Sequence, residues 1–435
     1  MGHIFDTLCA EISAVAVSNL LGRVAEVSRG TVLVSGLGKA VRQGDRVLIG
    51  NRLAGEVLNL TASGALVLTE GPPEGLSIGT VVELLGATTL APDNSWIGRI
   101  LDPYGRPMDG KPLFRGLKAR ALRAEAPPAA ARRRMGGRLS SSIAVFDTLL
   151  PLVRGQRIGL FAGSGVGKSS LLAKFARGVE ADVVVIALIG ERGRELREFV
   201  ERVLGPEGMA RSVLVTATSD QSALARRRCA LAAMTVAEHF RAQGLHVLLL
   251  ADSITRFAEA HREVALASGE TAALGGYPPS VQQAIMSLAE RAGPGPEGEG
   301  DITAVFSVLV AGSDMEETIA DILRGVLDGH VVLDRKIAER GRYPAIDLLR
   351  SVSRSLPEAA TAVENDLIAE ARQILGAWDR AEMMIQAGLY AKGSDPMVDR
   401  AIKIWPALDA FLAKSAPETG VEGSFAQLSA LLLQR

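Results

Sequence analysis

Residues 158–170, Ile-Gly-Leu-Phe-Ala-Gly-Ser-Gly-Val-Gly-Lys-Ser-Ser, read as a buried strand running into a glycine-rich loop that ends in Gly167-Lys168-Ser169 and opens a helix. That order fixes the local fold as strand, loop, helix and gives the loop a chemistry. Its glycines let successive backbone N–H groups converge on phosphate oxygens, and the following helix adds its positive end. Gly163, Ser164, Gly165, Val166, Gly167, Lys168, Ser169 and Ser170 are therefore expected to bind the phosphates of ATP, with Lys168 on the β/γ-phosphates and Ser169 on Mg²⁺. The pattern G-x-x-x-x-G-K-[ST] asks for glycine where Ala162 stands, a difference of one methyl group.

Length and composition agree with an enzyme built from several domains. A chain of 435 residues can bury a large core, and 46 glycines with 4% aromatics suit many strand–helix turns. Lys and Arg number 48 against 49 Asp and Glu, which argues against a protein that coats nucleic acid. Cys9 and Cys229, the two cysteines, exclude a cysteine-based zinc site and fit a reducing compartment. No apolar run reaches membrane-spanning length and no signal-peptide layout is present, so the expected location is cytoplasmic, with membrane association peripheral. Residues 3–22 have the spacing of a short amphipathic helix packed on its own domain.

Punctuation along the chain divides it. From Gly22 to Leu85 six short β-type runs broken by glycine predict a small β-barrel. A turn-rich stretch, Gly98 to Gly110, and a Pro/Ala/Arg segment read as a linker, with Arg132, Arg133 and Arg134 on a solvated face. Between Gly155 and Pro357, Ile158–Phe161, Val183–Ile189, Val213–Ala217, His246–Ala251 and Ile302–Val310 alternate with helical stretches, the pattern of a mostly parallel sheet covered by helices. After Pro357, Val363 to Gln386 and Asp399 to Leu412 have helical spacing. The expected fold class is α/β. Its parts are an N-terminal extension (1–21), the barrel (22–90), a P-loop ATPase core with its leading linker (91–357) and a helical C-terminal domain (358–435).

Two strand ends supply carboxylates where α/β proteins place ligands. His246-Val-Leu-Leu-Leu-Ala-Asp252 ends in an Asp suited to orient Mg²⁺, although an Asp capping the next helix would also fit Asp252-Ser253-Ile254-Thr255. Val183–Ile189 runs into Gly190-Glu191-Arg192, which puts Glu191 on the γ-phosphate side if that strand neighbours the loop. Hydrolysis needs an in-line water and neutralised phosphoryl charge, work that Glu191, Arg192, Lys168 and Mg²⁺ could share; Glu191 and Glu195 could equally just favour a helix start.

Taken in order, Ala162–Ser169, Gly190–Glu195, Leu248–Ser253, Gly276–Ser280, Ala338–Ile346 and Ser351–Arg354 resemble the rotary ATP synthase β-subunit superfamily over nearly the whole chain. Gly388-Leu-Tyr-Ala-Lys-Gly-Ser-Asp-Pro-Met-Val-Asp399 is similar to the C-terminal signature of the type III secretion and flagellar export branch, in which Ala162 is usual. The resemblance implies a RecA-like core and a homohexameric ring with ATP sites between subunits. It implies that Glu191 is the catalytic glutamate, that Tyr343 stacks on adenine and that Arg354 is an arginine finger reaching a neighbour's γ-phosphate. It further implies flagellar protein export as the function, with a stator-like regulatory subunit, a central stalk-like component, an export gate, chaperones and unfolded substrates as partners. A virulence secretion ATPase, a rotary synthase subunit and a Rho-like RNA translocase are the other readings; low aromatic content and near-zero charge speak against the last.

Overall fold

The structure, a computed structural model, describes residues 18–310 and 315–433 together with Cys9 and Ile12. The helix expected over 3–22 lies largely outside the described residues.

Six antiparallel strands form a closed barrel: β1 (Leu21–Val27), β2 (Thr31–Ser35), β3 (Arg46–Ile49), β4 (Leu53–Thr61), β5 (Gly64–Thr69) and β6 (Val81–Gly86), in the order β1-β2-β5-β4-β3-β6. Alternation puts Val24, Val32, Val34, Val47, Ile49, Val57, Val67 and Val82 inside, which is why short β-branched runs suffice to close it. Glycine is required at the β4–β5 hairpin, where Gly64 has φ +150° and a Cβ would lie 2.3 Å from the Val34 carbonyl oxygen.

The central sheet contains β7 (Ile100–Leu101), β8 (Arg157–Ala162), β9 (Val183–Glu191), β10 (Ser212–Thr218), β11 (His246–Asp252), β12 (Asp301–Leu309), β13 (Gly329–Leu333) and β14 (Ile346–Ser353), ordered β14-β13-β8-β12-β11-β9-β10-β7. All these pairs are parallel except β13–β14. Both faces are covered, so the strands are almost continuously buried. One face packs under α1 (Lys168–Gly178) and the C-terminal helices; the other packs under α2 (Ala223–Arg241), α3 (Ile254–Ala267) and α4 (Pro279–Arg291), with α5 (Thr318–Val326) beside them.

The C-terminal part is helical: α6 (Ala362–Gln386), opened by a Thr361/Glu364 capping box, α7 (Pro396–Leu412), capped by Asp395, and α8 (Gly420–Leu432). Trp378 on α6 and Trp405 on α7 stack at 5.0 Å and 7°.

Charged groups clamp the barrel to the core. Tyr104 donates to Glu70 at 2.6 Å, while the Arg46 and Arg228 guanidiniums lie 4.6 and 4.5 Å from its ring centre. Arg123 and Arg227 both donate to Glu56 Oε1, and Asn59 donates to the Ser268 carbonyl at the end of α3. The arginine triplet corrects the solvated-linker expectation. Arg132 donates to Glu290 at 2.9 Å, and Arg133 to Asp301 at 2.6 Å and the Glu299 carbonyl at 2.7 Å, so two of the three lash the linker to the core.

Candidate active site

Ala162 is the last residue of β8, fully buried between Leu309 and Leu333, so the extra methyl sits in the strand rather than the loop. Gly165 and Gly167 take φ +78° and +85°, turning the loop back on itself, and α1 starts with no side-chain cap on its N–H groups. Those uncapped donors are what a phosphate would find. At Gly167 space is decisive as well: a Cβ would lie 2.9 Å from Tyr343 Cδ1. Tyr343, half-exposed, thus lies against the loop although 176 positions separate it from Gly167 in the chain.

Asp252 closes β11 with its side chain buried, and Ser253 rather than Asp252 caps α3, accepting from Arg256 N–H. The Asp252 carboxylate is left for other partners: Lys168 Nζ is ion-paired with Oδ1, and Ser307 Oγ donates to the same oxygen at 2.6 Å. Glu191 reaches this pair by a route different from the expected one. Its strand does not neighbour β8; β12 and β11 stand between them. β9 pairs Leu188 with Asp252 and runs three residues further, which carries Glu191 past the strand end toward α1. Burial, then the Asp252 charge, push the Glu191 carboxyl up to about 7, with Lys168 opposing and Glu195 adding to the rise.

Two cavities flank the start of α1. One, ≈ 290 Å³, is lined by Ser169, Leu188, Glu191, Glu195, Phe199 and Asp252; the other, ≈ 360 Å³, by Gly165, Gly167, Ser170, Lys174, Tyr343 and Pro344. One side is carboxylate-rich, the other offers an aromatic face, and the phosphate loop runs between them. A larger cavity of ≈ 560 Å³, lined by Glu56, Arg123, Arg227, Phe257 and His261, belongs to the barrel–core joint and touches no loop residue.

The remaining expected residues are placed less centrally. Arg192 is 74% exposed and pairs with Glu195 at 3.7 Å, outside the cavity lining. Arg354 stands at the other end of the sheet. β14 pairs Ile346 with Leu333, which pairs with Ala162 at the loop, whereas Ser353 pairs with Gly329 and Arg354 N–H donates to the Asp328 carbonyl. Its exposed guanidinium donates to the Arg324 carbonyl at the end of α5. The two levels are four residues of β13 apart, about 13 Å at ~3.3 Å each, because β14 bulges between its pairings with Val332 and His330.

Two contributors escaped the sequence reading. Ser307 orients Asp252, and Arg256 lies across Gly190, its side chain 3.4 Å from where a Cβ there would be, held by Glu259 and sensing the Glu191 charge. Neither carries a local sequence signal: Ser307 lies 55 positions from Asp252, and Arg256 sits on α3 while Gly190 belongs to β9.

For a cation, Ser169 and Asp252 offer hard oxygen donors on one cavity, and among the described residues no cluster of three or more His, Cys, Asp or Glu forms a closed cage. That donor set fits Mg²⁺, which keeps waters and takes few protein ligands beside substrate phosphates.

Residues 142–353 match the sequence profile of the ATP synthase alpha/beta family, nucleotide-binding domain, and residues 360–430 that of the type III secretion EscN ATPase C-terminal domain. The chain is 44% identical to a flagellum-specific ATP synthase from Caulobacter vibrioides, covering 98% of this chain and 99% of that protein. It is 41% identical to a type 3 secretion system ATPase from Pseudomonas syringae pv. syringae, covering 95% and 94%. The assembled ATPase EscN of enteropathogenic E. coli superposes with a TM-score of 0.87 alone and 0.86 in complex with its central stalk EscO, each at 36% identity over 94% of this chain and 100% of EscN.

Proposed function

The chain belongs to the ATP synthase alpha/beta family, in its flagellar and type III secretion ATPase branch, and from that premise we propose that it hydrolyses ATP in a homohexameric ring to energise flagellar protein export. The fold is the α/β arrangement expected, with barrel, mostly parallel core and helical tail. On this reading the barrel (22–90) assembles the ring, the core (91–357) hydrolyses, and the tail (358–435) meets the machinery: a central stalk like EscO, a stator-like regulator, an export gate, and chaperones with unfolded substrates. Chaperone release and admission of substrate are the outputs. The protein works at the inner membrane face as a peripheral component, and no helix among the described residues is long and apolar enough to cross a membrane.

The chemistry follows from charge. Residues 163–170 hold the triphosphate by backbone N–H groups and the α1 end, and Tyr343 supplies the adenine wall. Mg²⁺, when bound beside Ser169 and Asp252, offsets phosphate charge. Lys168 then exchanges Asp252 for the phosphate oxygens. Glu191, with a carboxyl near neutral pH, polarises the attacking water and accepts its proton, and Arg192 adds positive charge at the cavity mouth.

Arg354 carries the argument for a ring. It stands a strand's length from its own loop, so the γ-phosphate it can serve lies on an adjacent copy, where such a group is worth roughly 10³–10⁵ in rate. Mixing tests this directly. Lys168→Ala and Arg354→Ala proteins, each inactive, regain ATPase activity when mixed, because some interfaces then pair an intact loop with an intact arginine. Failure of the mixture, or full activity of Arg354→Ala alone, overturns the shared site. Deleting the gene and measuring secretion of flagellar proteins tests flagellar assignment; unimpaired secretion refutes it.

A further inference from the structure

Tyr343 is held from behind. The next residue back, Arg342, is buried and lines neither cavity beside α1. Its guanidinium donates to the Pro344 carbonyl at 3.1 Å and the Ile346 carbonyl at 2.7 Å, closing the turn from which the Tyr343 ring extends over Gly167. Its Nε faces Asp409 Oδ1 on α7 at 2.8 Å. Two residues earlier, Arg340 pairs with Glu382 on α6 at 3.2 Å. The segment bearing the aromatic wall is therefore fastened to both long C-terminal helices, and the Trp378–Trp405 stack fastens those helices to each other beside a ≈ 300 Å³ cavity that Arg340, Arg342 and Asp409 line.

We propose that Arg342 is a positioning residue for the nucleotide site: it sets Tyr343 against the phosphate loop and, through Asp409, makes affinity for the adenine base depend on where α7 stands. This rests on Tyr343 being the adenine wall. Tyr343 is too exposed to be fixed by its own packing, whereas Ala345 and Ile346 behind it are fully buried, so the turn's bonds decide where the ring points. A buried guanidinium deprived of its carboxylate does not stay in place. Coupling is reciprocal: whatever restrains α7 alters nucleotide affinity, and bound nucleotide alters the restraint by the same factor.

Full-length Arg342→Met, Asp409→Asn and Tyr343→Ala are compared by equilibrium titration with mant-ADP, by inhibition of ATPase activity by inorganic tripolyphosphate, and by KM and kcat for ATP. Arg342→Met is expected to weaken mant-ADP binding about tenfold and Asp409→Asn about threefold or more. KM should rise with kcat held within twofold, and tripolyphosphate, which has no base, should inhibit as in the parent. Asp409→Asn is isosteric and part-exposed, so it remains decisive if Arg342→Met fails to fold. If Asp409→Asn binds mant-ADP as the parent does while Tyr343→Ala binds it weakly, the coupling is overturned and the adenine wall stands. Normal binding by Tyr343→Ala overturns both. Equal weakening toward mant-ADP and tripolyphosphate overturns the coupling too, since general loosening of the site would do that.

Discussion

Replacing Glu191 by Gln is expected to abolish hydrolysis and to stabilise the nucleotide-free fold. Its carboxyl stands at about 7 against an ordinary 4.5, because burial and the neighbouring Asp252 charge disfavour ionisation. At about 1.4 kcal/mol per pH unit this corresponds to about 3 kcal/mol, and solvent reaching the half-buried side chain reduces it to about 1–2 kcal/mol. The sign is set by linkage. Below 4.5 the group is protonated in both folded and unfolded chains and Gln gains nothing. Between 4.5 and 7 the unfolded chain ionises first, so the parent loses stability as pH rises; above 7 the loss is complete. The assay is thermal unfolding of both proteins at pH 5 and pH 8.5, without nucleotide or divalent cation and at equal concentration. Glu191→Gln should melt about 1–2 °C higher at pH 8.5, with the advantage largely gone at pH 5. An advantage independent of pH, or a lower melting temperature at pH 8.5, refutes the claim that an ionised Glu191 strains the empty site.

The same carboxyl predicts an acid limb in kcat/KM centred near pH 7, activity falling as pH drops through it; Glu195→Gln, which removes a charge that raises Glu191, should move the midpoint down by a few tenths while leaving titration of ATP itself unchanged. Gly167→Ala should weaken mant-ADP binding about tenfold or more, since the new methyl meets both a φ of +85° and the Tyr343 ring; binding within twofold of the parent would contradict this placement. Arg291 donates to both Glu238 oxygens at 2.8 and 2.7 Å in the core, so Arg291→Met should cost about 3–5 kcal/mol by stranding a buried carboxylate. Denaturant unfolding should show Arg291→Met/Glu238→Gln recovering more than half of that loss.

What could be read in the chain alone was local. Valine-rich alternation marked all six barrel strands, and the apolar runs from 158 to 310 marked five sheet strands to within about two residues at either end. The phosphate loop and Asp252 were legible because each is defined by its own few neighbours in sequence. The order of strands was not: the place of Glu191 was conditional on β9 neighbouring β8, whereas its neighbours are β11 and β10. Arg132 and Arg133 looked solvated because their acceptors, Glu290 and Asp301, lie more than 150 positions downstream. Ser307 and Arg256 were missed for the same reason, since only the closed sheet brings them to Asp252 and Glu191.

β14 carries Tyr343 just before one end and Arg354 just after the other, on opposite levels of the sheet. A pair of copies that met face to face by two-fold symmetry would set like surface on like surface and complete no site in this way. Head-to-tail stacking has a direction, so on the proposed reading a row of n copies holds n − 1 finished sites and only closure supplies the last. Turnover per protomer should therefore climb gradually through short oligomers, starting from half its limit in a dimer, and the circle acquires a clockwise and an anticlockwise sense from the placement of two side chains beyond opposite ends of one strand.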